Sequence, residues 1–324
     1  MSTHAGQIGI PSMDPPSDFR HEAFLYAGED RFLSGVVPFI RAGVAAGEPI
    51  LVAVSAAQIR LLISTLGGEA ERVRFVDMGE VGRNPARIIP AWREFLDVHA
   101  VADRPVRGIG QPAWPERSAA ELVECRHHES LLNLAFDGDV AWRLMCPYDV
   151  ENLDIDALDA ARATHPYLVG ADGTERESDS YLAPTEAPGP FEGPLPAPHG
   201  PADEMAFTED DLARVRARVY RHAGEAGLGP QRTANAVLAI SELAANSIRH
   251  AGGGGTVRLW TEPGEFLGEV GDGGRFDSPM VGRTRPTPVQ LYGRGLWLVN
   301  QVCDLVQIRS SDRGSVVRVH IGVP

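Results

Sequence analysis

No lysine occurs anywhere in the chain, so all 30 of its basic residues are arginine. That absence excludes whole classes of chemistry. A Gly-rich phosphate loop closed by lysine, the strand lysine of a eukaryotic-type protein kinase and a pyridoxal Schiff base each need an amine that is missing. Any nucleotide chemistry here must come from a fold that does without one. Cysteine is scarce as well. Cys125, Cys146 and Cys303 are odd in number and far apart, which argues against a disulfide framework and gives the expectation of three buried thiols in a reducing compartment. The 10 histidines show no ligand spacing with a second Cys or His apart from the adjacent His127 and His128, so no metal bound by the protein alone is expected. No stretch approaches the roughly 20 apolar residues of a membrane span. Residues 1–18 are polar and Pro-rich, without the basic start and apolar core of a signal peptide, and a disordered N-terminus is expected there. A cytoplasmic protein with no membrane partner is the expectation.

What is present divides unevenly. The 324 residues suffice for two ordinary cores, and two domains are expected. The formal net charge is −14, and the acid sits early: residues 1–205 hold 16 Arg against 32 Asp and Glu, whereas 206–324 hold 14 against 12. A chain this acidic is poorly suited to phosphate-backbone binding, so no direct nucleic-acid partner is expected. Between them, residues 170–205 fill with Pro, Gly, Glu, Ser and Ala, too poor in large apolar groups to pack, and read as a linker after a domain spanning 19–169.

In the first part, apolar runs at 50–55, 73–77, 106–110 and 140–146 alternate with helical patterns at about 29–46, 56–66, 84–102 and 117–136. That alternation predicts a three-layer α/β domain with a mostly parallel sheet. Asn84 before Pro85 reads as an N-cap and first helical position. After the linker, Thr208 to Asp211 resembles a capping box, leading to a helix that Gly227 stops and a second from about 231 to 251. Strands are expected at 256–261 and 266–271, then a Gly/Pro/Arg-rich loop, a helix from Leu296, and a closing strand pair turning at 311–314.

Glu242 and Asn246 stand four apart on that second helix and share a face, while Val237, Leu238, Ser241, Ala244, Ala245 and Ile248 are expected to pack. Taken alone, such a pair is common on solvated helices. Asp272-Gly-Gly274 follows a strand, where a carboxylate can accept from an exocyclic amino group and glycine lets a base approach the backbone. Gly293-Arg-Gly295 opens a helix, offering N–H groups and the positive end of the dipole to phosphates.

In order and spacing these segments resemble the GHKL ATPase family: SELAANSIRHA (241–251) as the N box, EVGDGG (269–274) as the G1 box, YGRGLWLVNQVCDL (292–305) as the G2 box, and Gly314-Ser315 as the closing Gly-Thr motif. The short form, lacking dimerisation and phosphoacceptor helices, is similar to bacterial anti-sigma factor serine/threonine kinases. The resemblance implies an α+β two-layer sandwich over 206–324 that binds ATP and Mg²⁺. It implies Glu242 as the general base, Asn246 as the Mg²⁺ ligand, Asp272 as the adenine contact with Gly274 beneath the base, and Gly293, Arg294, Gly295, Leu296 and Trp297 as the phosphate cradle. Ser315 belongs to the ATP-binding set, and 277–292 would be the lid. Arg214 falls where these kinases carry a partner-edge arginine, although a solvated charge is the plainer reading. The implied partners are a sigma factor and a small antagonist protein; a homodimer is left open. Phe276 stands where the usual G1 pattern has its second glycine, which bears on lid closure, and Ser315 replaces the usual threonine.

Residues 21–169 resemble the MEDS sensory domain, similar in fold to RecA-like proteins, on HEAFLYAGEDRFLSGVVPFIRAGVAAGEPILVAV (21–54), RGIGQPAW (107–114), ECRHHESLLNLAF (124–136) and CPYD (146–149). This implies sensing of a small-molecule ligand of unknown identity. His21 and Tyr26 could line its pocket, but aromatic residues on a strand are more often core. His128-Glu129 imitates a histidine-kinase phosphoacceptor, and the alternatives to the serine/threonine kinase are that histidine kinase and an ATP-gated binding module without transfer. His127, His128 and Glu129 read more simply as packing or surface residues. The glycines 252–255 follow a helix C-terminus, where the dipole repels anions, and read as a turn.

Overall fold

The structure, a computed structural model, describes residues 19–100, 104–136, 141–170, 172–184, 193–287 and 293–323. In chain order the first half runs β1 (Arg20–Tyr26), α1 (Gly28–Ala46), β2 (Ile50–Val54), α2 (Ala56–Leu66), β3 (Arg74–Asp77), α3 (Met78–Val81), α4 (Ile88–His99), β4 (Val106–Gly110), α5 (Ala119–Ala135), β5 (Trp142–Asp149), α6 (Ile155–Thr164), β6 (Tyr167–Val169) and β7 (Glu175–Glu177). The strands form one sheet in the order β3-β2-β4-β5-β1-β6-β7, parallel except for the β6–β7 pair. β2 is buried at every position, as a parallel strand covered on both faces must be. Helices α1 and α2 pack Phe32, Val36, Ile40 and Leu62 onto Phe24, Val52 and Met145 on one face. On the other, α4, α5 and α6 pack Trp92, Leu132 and Leu158 onto Ala23, Leu144 and Cys146. Fully burying one such large side chain is worth about 1.5–3 kcal/mol, so two continuous apolar layers hold the sheet between its helices. Local signals agree with the tertiary ones. Ser55 with Gln58 and Ser118 with Glu121 close capping boxes at α2 and α5, and Asn84 caps its turn by accepting from the Ala86 N–H.

The second half runs β8 (Asp203–Thr208), α7 (Leu212–Glu225), α8 (Pro230–His250), β9 (Gly254–Glu262), β10 (Glu265–Asp272), α9 (Arg294–Val302), β11 (Leu305–Ser311) and β12 (Gly314–Gly322). Its strands form an antiparallel sheet in the order β11-β12-β10-β9-β8, with a core joining Ile240, Leu243, Val257, Phe266, Val299 and Val319. The architecture is thus a mostly parallel, helix-covered sheet followed by an antiparallel sheet with helices.

Several elements depart from the sequence expectation. α6, β6 and β7 lie where no element was expected, and both ends of the Pro-rich stretch hold strands: β7 pairs with β6, and β8 pairs with β9. The buried face of α8 is wider than expected. Of the expected packing residues, Ser241 and Ala244 are buried and Val237 and Ile248 pack on the core, while Leu238 is exposed; Ala236, Ala239, Ile240, Leu243 and Ser247 are buried as well, because α8 covers the sheet while also contacting α7 and α9. The segments read as a disordered N-terminus (1–18) and as the end of the lid (288–292) lie outside the described residues.

Candidate nucleotide site and the N-terminal contact upon it

The positions singled out in the second half meet along one edge of α8. Gly295 lies in the first turn of α9, and a Cβ placed on it would sit 2.9 Å from Glu242 Oε2 and 3.1 Å from Asn246 Nδ2. A side chain there would have to displace the ends of both side chains. Gly293 opens α9 at φ 83° and makes no side-chain cap hydrogen bond to the first turn. Leu296 is buried and anchors this turn in the core. The Arg294 guanidinium donates to the Thr287 carbonyl at 3.3 Å. Asn246 Oδ1 accepts from Arg249 at 3.0 Å.

Some residues further along α8, the end of β10 holds Asp272. Its carboxylate accepts from the Gly274 N–H (2.8 Å), Ser315 Oγ (3.0 Å) and Ser247 Oγ (2.5 Å). Ser247 was not among the sequence candidates, although its place directly after Asn246 was a signal: a hydroxyl on the buried side of an apolar helix needs a partner. Ser315 faces Asp272 and so positions that carboxylate. Gly314, at φ 121°, brings the β11–β12 turn so close that a Cβ there would stand 2.2 Å from the Asp272 carbonyl oxygen. Phe276 leaves the extended turn early, since its N–H donates to Ser310 Oγ at 3.0 Å and its ring packs on the C-terminal core. Arg214 pairs with Asp211 at 2.5 Å and is mostly exposed. A groove of about 840 Å³ lies elsewhere, between residues 193–197 and the arginines Arg258, Arg309, Arg313 and Arg318, and touches none of Glu242, Asn246 and Asp272.

Residues 20–166 match the family model described as the MEthanogen/methylotroph, DcmR Sensory domain (MEDS), and residues 205–321 match that of the histidine kinase-like ATPase domain. The chain joins a MEDS domain to a histidine kinase-like ATPase domain. Such a pairing makes it a signalling protein of the ATPase or kinase type. Among solved structures it is similar to the RsbU and RsbW domains of Rv1364c from Mycobacterium tuberculosis, at 18% identity over 38% of this chain and 33% of that one, with a TM-score of 0.30. Comparison with curated proteins gave no match. Among the described residues no helix is long and apolar enough to cross a membrane.

The MEDS domain reaches the ATPase domain beside residues 280–283, in the segment expected to form a lid. On α5, buried Glu124 accepts from Arg309 of β11 at 3.1 Å and lies 3.8 Å from Arg283 of the lid segment, itself buried. Burial opposes ionisation of Glu124, but His127, Arg309 and Arg283 outweigh it and hold its carboxyl below the ordinary value. Asn84 donates to the backbone and side-chain oxygens of Asn300 on α9, both at 3.1 Å, and Asn300 in turn donates to the Gly282 carbonyl at 3.0 Å. Arg83 pairs with Asp304 at 3.1 Å, and Met280 packs against the MEDS core. None of these contacts has a local sequence signature. His128, the imitation phosphoacceptor, is 1% exposed, and burial pushes its pKa down to about 3. A ring so enclosed cannot meet a nucleotide without unpacking α5.

Proposed function

We propose that the chain is a sensor-controlled, ATP-dependent serine/threonine protein kinase of the anti-sigma type, with its nucleotide held between α8, the end of β10 and the first turn of α9. The observation that carries this reading is the approach of Gly295 to Glu242 and Asn246, which sets a carboxylate, an amide and a helix N-terminus around one point. The residues fit the nucleotide and its ion. First-turn N–H groups at Gly295, Leu296 and Trp297 suit phosphate oxygens, and Asn246 Oδ1 suits a hard six-coordinate cation whose other ligands are phosphate and water. The carboxylate of Asp272 has about four lone-pair sites and three protein donors, which leaves one acceptor for an adenine amino group.

ATP supplies the transferable phosphoryl group. The chain's own work is to orient and neutralise: Glu242 takes the proton of a partner's hydroxyl, and the α9 dipole with Arg294 offsets phosphate charge. A sigma factor with a small antagonist protein is the partner set this reading expects, and the MEDS domain would set the lid through Glu124, Asn84 and Met280. A second reading, ATP-gated partner binding without transfer, draws on Phe276, whose anchoring to Ser310 and the core restrains the base of the lid. Calorimetry on the full chain tests the shared premise: Mg·ATP binds, and Asn246→Ala abolishes the Mg²⁺ dependence. Unchanged affinity for Mg·ATP in that variant would remove Asn246 from the site.

A further inference from the structure

Four buried side chains outside the nucleotide site converge inside the MEDS domain: His21 on β1, Glu129 on α5, Cys146 on β5 and His165 at the end of α6. One ligand atom from each lies within 4.8 Å of every other. His21 Nε2 is 3.0 Å from Glu129 Oε2 and 3.4 Å from Cys146 Sγ; His165 Nε2 is 3.4 Å from the same carboxylate oxygen, and Cys146 Sγ is 3.7 Å from it.

The outward ring nitrogens of this cluster already have partners, which leaves both Nε2 atoms to face the carboxylate. Asn133 donates through Nδ2 to the Thr164 carbonyl at 2.8 Å, which fixes Oδ1 toward His21 Nδ1 at 3.0 Å; that ring nitrogen must carry the hydrogen. His165 Nδ1 lies 2.8 Å from the Ala161 carbonyl, which can only accept, so it too carries the hydrogen. Each ring therefore turns its Nε2 toward the Glu129 carboxylate, with the Cys146 thiol beside them. Glu129 Oε1 and His165 Nε2 are buried without any hydrogen-bond partner. A buried polar atom without a partner costs about 1–3 kcal/mol, a cost that a bound cation would relieve.

We propose that His21, Glu129, Cys146 and His165 form a metal site that takes one zinc ion or a similar borderline-soft divalent ion. Donors bound at about 2.0–2.3 Å to a tetrahedral ion stand roughly 3.3–3.8 Å apart, so the observed spacings need adjustments of a few tenths of an ångström to about one. The outer shell is of the kind that orients histidine ligands: an Asn133 amide behind one ring and a backbone carbonyl behind the other. Binding replaces the Cys146 S–H with a sulfur–metal bond and releases the proton to solvent. A cavity of about 20 Å³ between α5 and α6 reaches Glu129 and holds room for one water, giving a short route inward. The site ties β1, β5 and the α6–β6 junction to α5, the helix whose Glu124 meets Arg283 of the lid. It stands on these donors alone and does not depend on the kinase reading.

The test uses the full chain. Metal content is measured after growth with zinc; the ion is then stripped with a chelator, and cobalt(II) is titrated in while circular dichroism follows the fold. We expect one zinc per chain as purified, and a tetrahedral cobalt spectrum with a thiolate charge-transfer band. That band should vanish in Cys146→Ser, and Asn133→Leu should weaken the ion by about 10–100-fold, the effect of removing an outer-shell partner. Zinc content far below one per chain together with no thiolate band in the folded, stripped wild type would overturn the site. So would metal content unchanged in both Cys146→Ser and His165→Gln.

Discussion

Replacing Glu124 with Gln keeps the size and the acceptor that Arg309 uses, yet removes a negative charge that faces Arg309 and Arg283 together. At 3.1 and 3.8 Å and an effective dielectric near 20, the two gross Coulomb terms are each about 4–5 kcal/mol, most of it offset by desolvation. Breaking a buried pair from one side costs about 3–5 kcal/mol, because the remaining charge stays buried without compensation. Arg283 is already 6% exposed, with its Nη1 unpaired, so it cannot recover by turning to water without moving the lid segment. The expected outcome is a displaced lid segment. Hydrogen exchange at residues 280–283 should rise, and in a chain of two such domains a loss of this size lowers Tm by several degrees. Glu124→Gln with Arg283→Met should recover part of the loss, a coupling above about 1 kcal/mol. Unchanged Tm, unchanged exchange at 280–283 and additive double-variant energies would together refute the argument that α5 holds the lid.

Two further outcomes follow from the same geometry. ATP should outcompete GTP, since guanine offers no amino group at the adenine N6 position and leaves one Asp272 acceptor unpaired. That costs on the order of 1.5–3 kcal/mol, about ten- to a hundredfold in a competition assay, and equal competition by GTP would move Asp272 away from the base. Acid should loosen the contact between domains. Burial opposes ionisation of Glu124 and Asp304, but their arginine partners, with His127 for Glu124, depress both. A depressed carboxyl contributes stability that is present above its ordinary value, near 4.5 for Glu and 3.8 for Asp, and that is lost as pH falls through the folded value. A fall in Tm and in protection of 280–283 concentrated below about pH 4.5 is therefore expected; loss centred near neutrality would assign it to other groups.

The candidate nucleotide site was legible because its constraints are local. A helix with Glu242 and Asn246 one turn apart, a carboxylate ending a strand and glycines opening a helix each leave a mark within about a dozen residues, and the fold brings these stretches together. Fold class was legible for a similar reason, since β2 is a continuous apolar run and β4 and β5 are mostly apolar, each interrupted by an arginine. α6 was faint because Ala and Asp dominate it, leaving Leu158 and Ala161 as its buried apolar contacts. β8 shows a short alternation, Met205 and Phe207 inward, directly behind a Pro-rich stretch that masks it. The His21, Glu129, Cys146 and His165 cluster was not legible at all. Each donor comes from a different element, so no ligand spacing exists along the chain, and only the parallel register of His21 opposite Leu144 and Ala23 opposite Cys146 brings them together. The pairing of Asn84 with Asn300 is hidden for the same reason, 216 positions apart.

The central claim, that Glu242 acts as base in a kinase built on this ATPase domain, is tested most directly by phosphoryl transfer. The full chain and its Glu242→Gln variant are incubated with Mg·ATP and each co-purifying protein, with bound nucleotide and the partner's intact-mass gain measured in the same samples. The account predicts that both forms bind ATP, that the unaltered chain phosphorylates a serine or threonine of the partner, and that transfer by Glu242→Gln falls by roughly 10²–10⁴-fold. Transfer unaffected by the substitution would contradict Glu242 as base, and ATP bound by the unaltered chain with no transfer to its true partner would contradict the kinase itself.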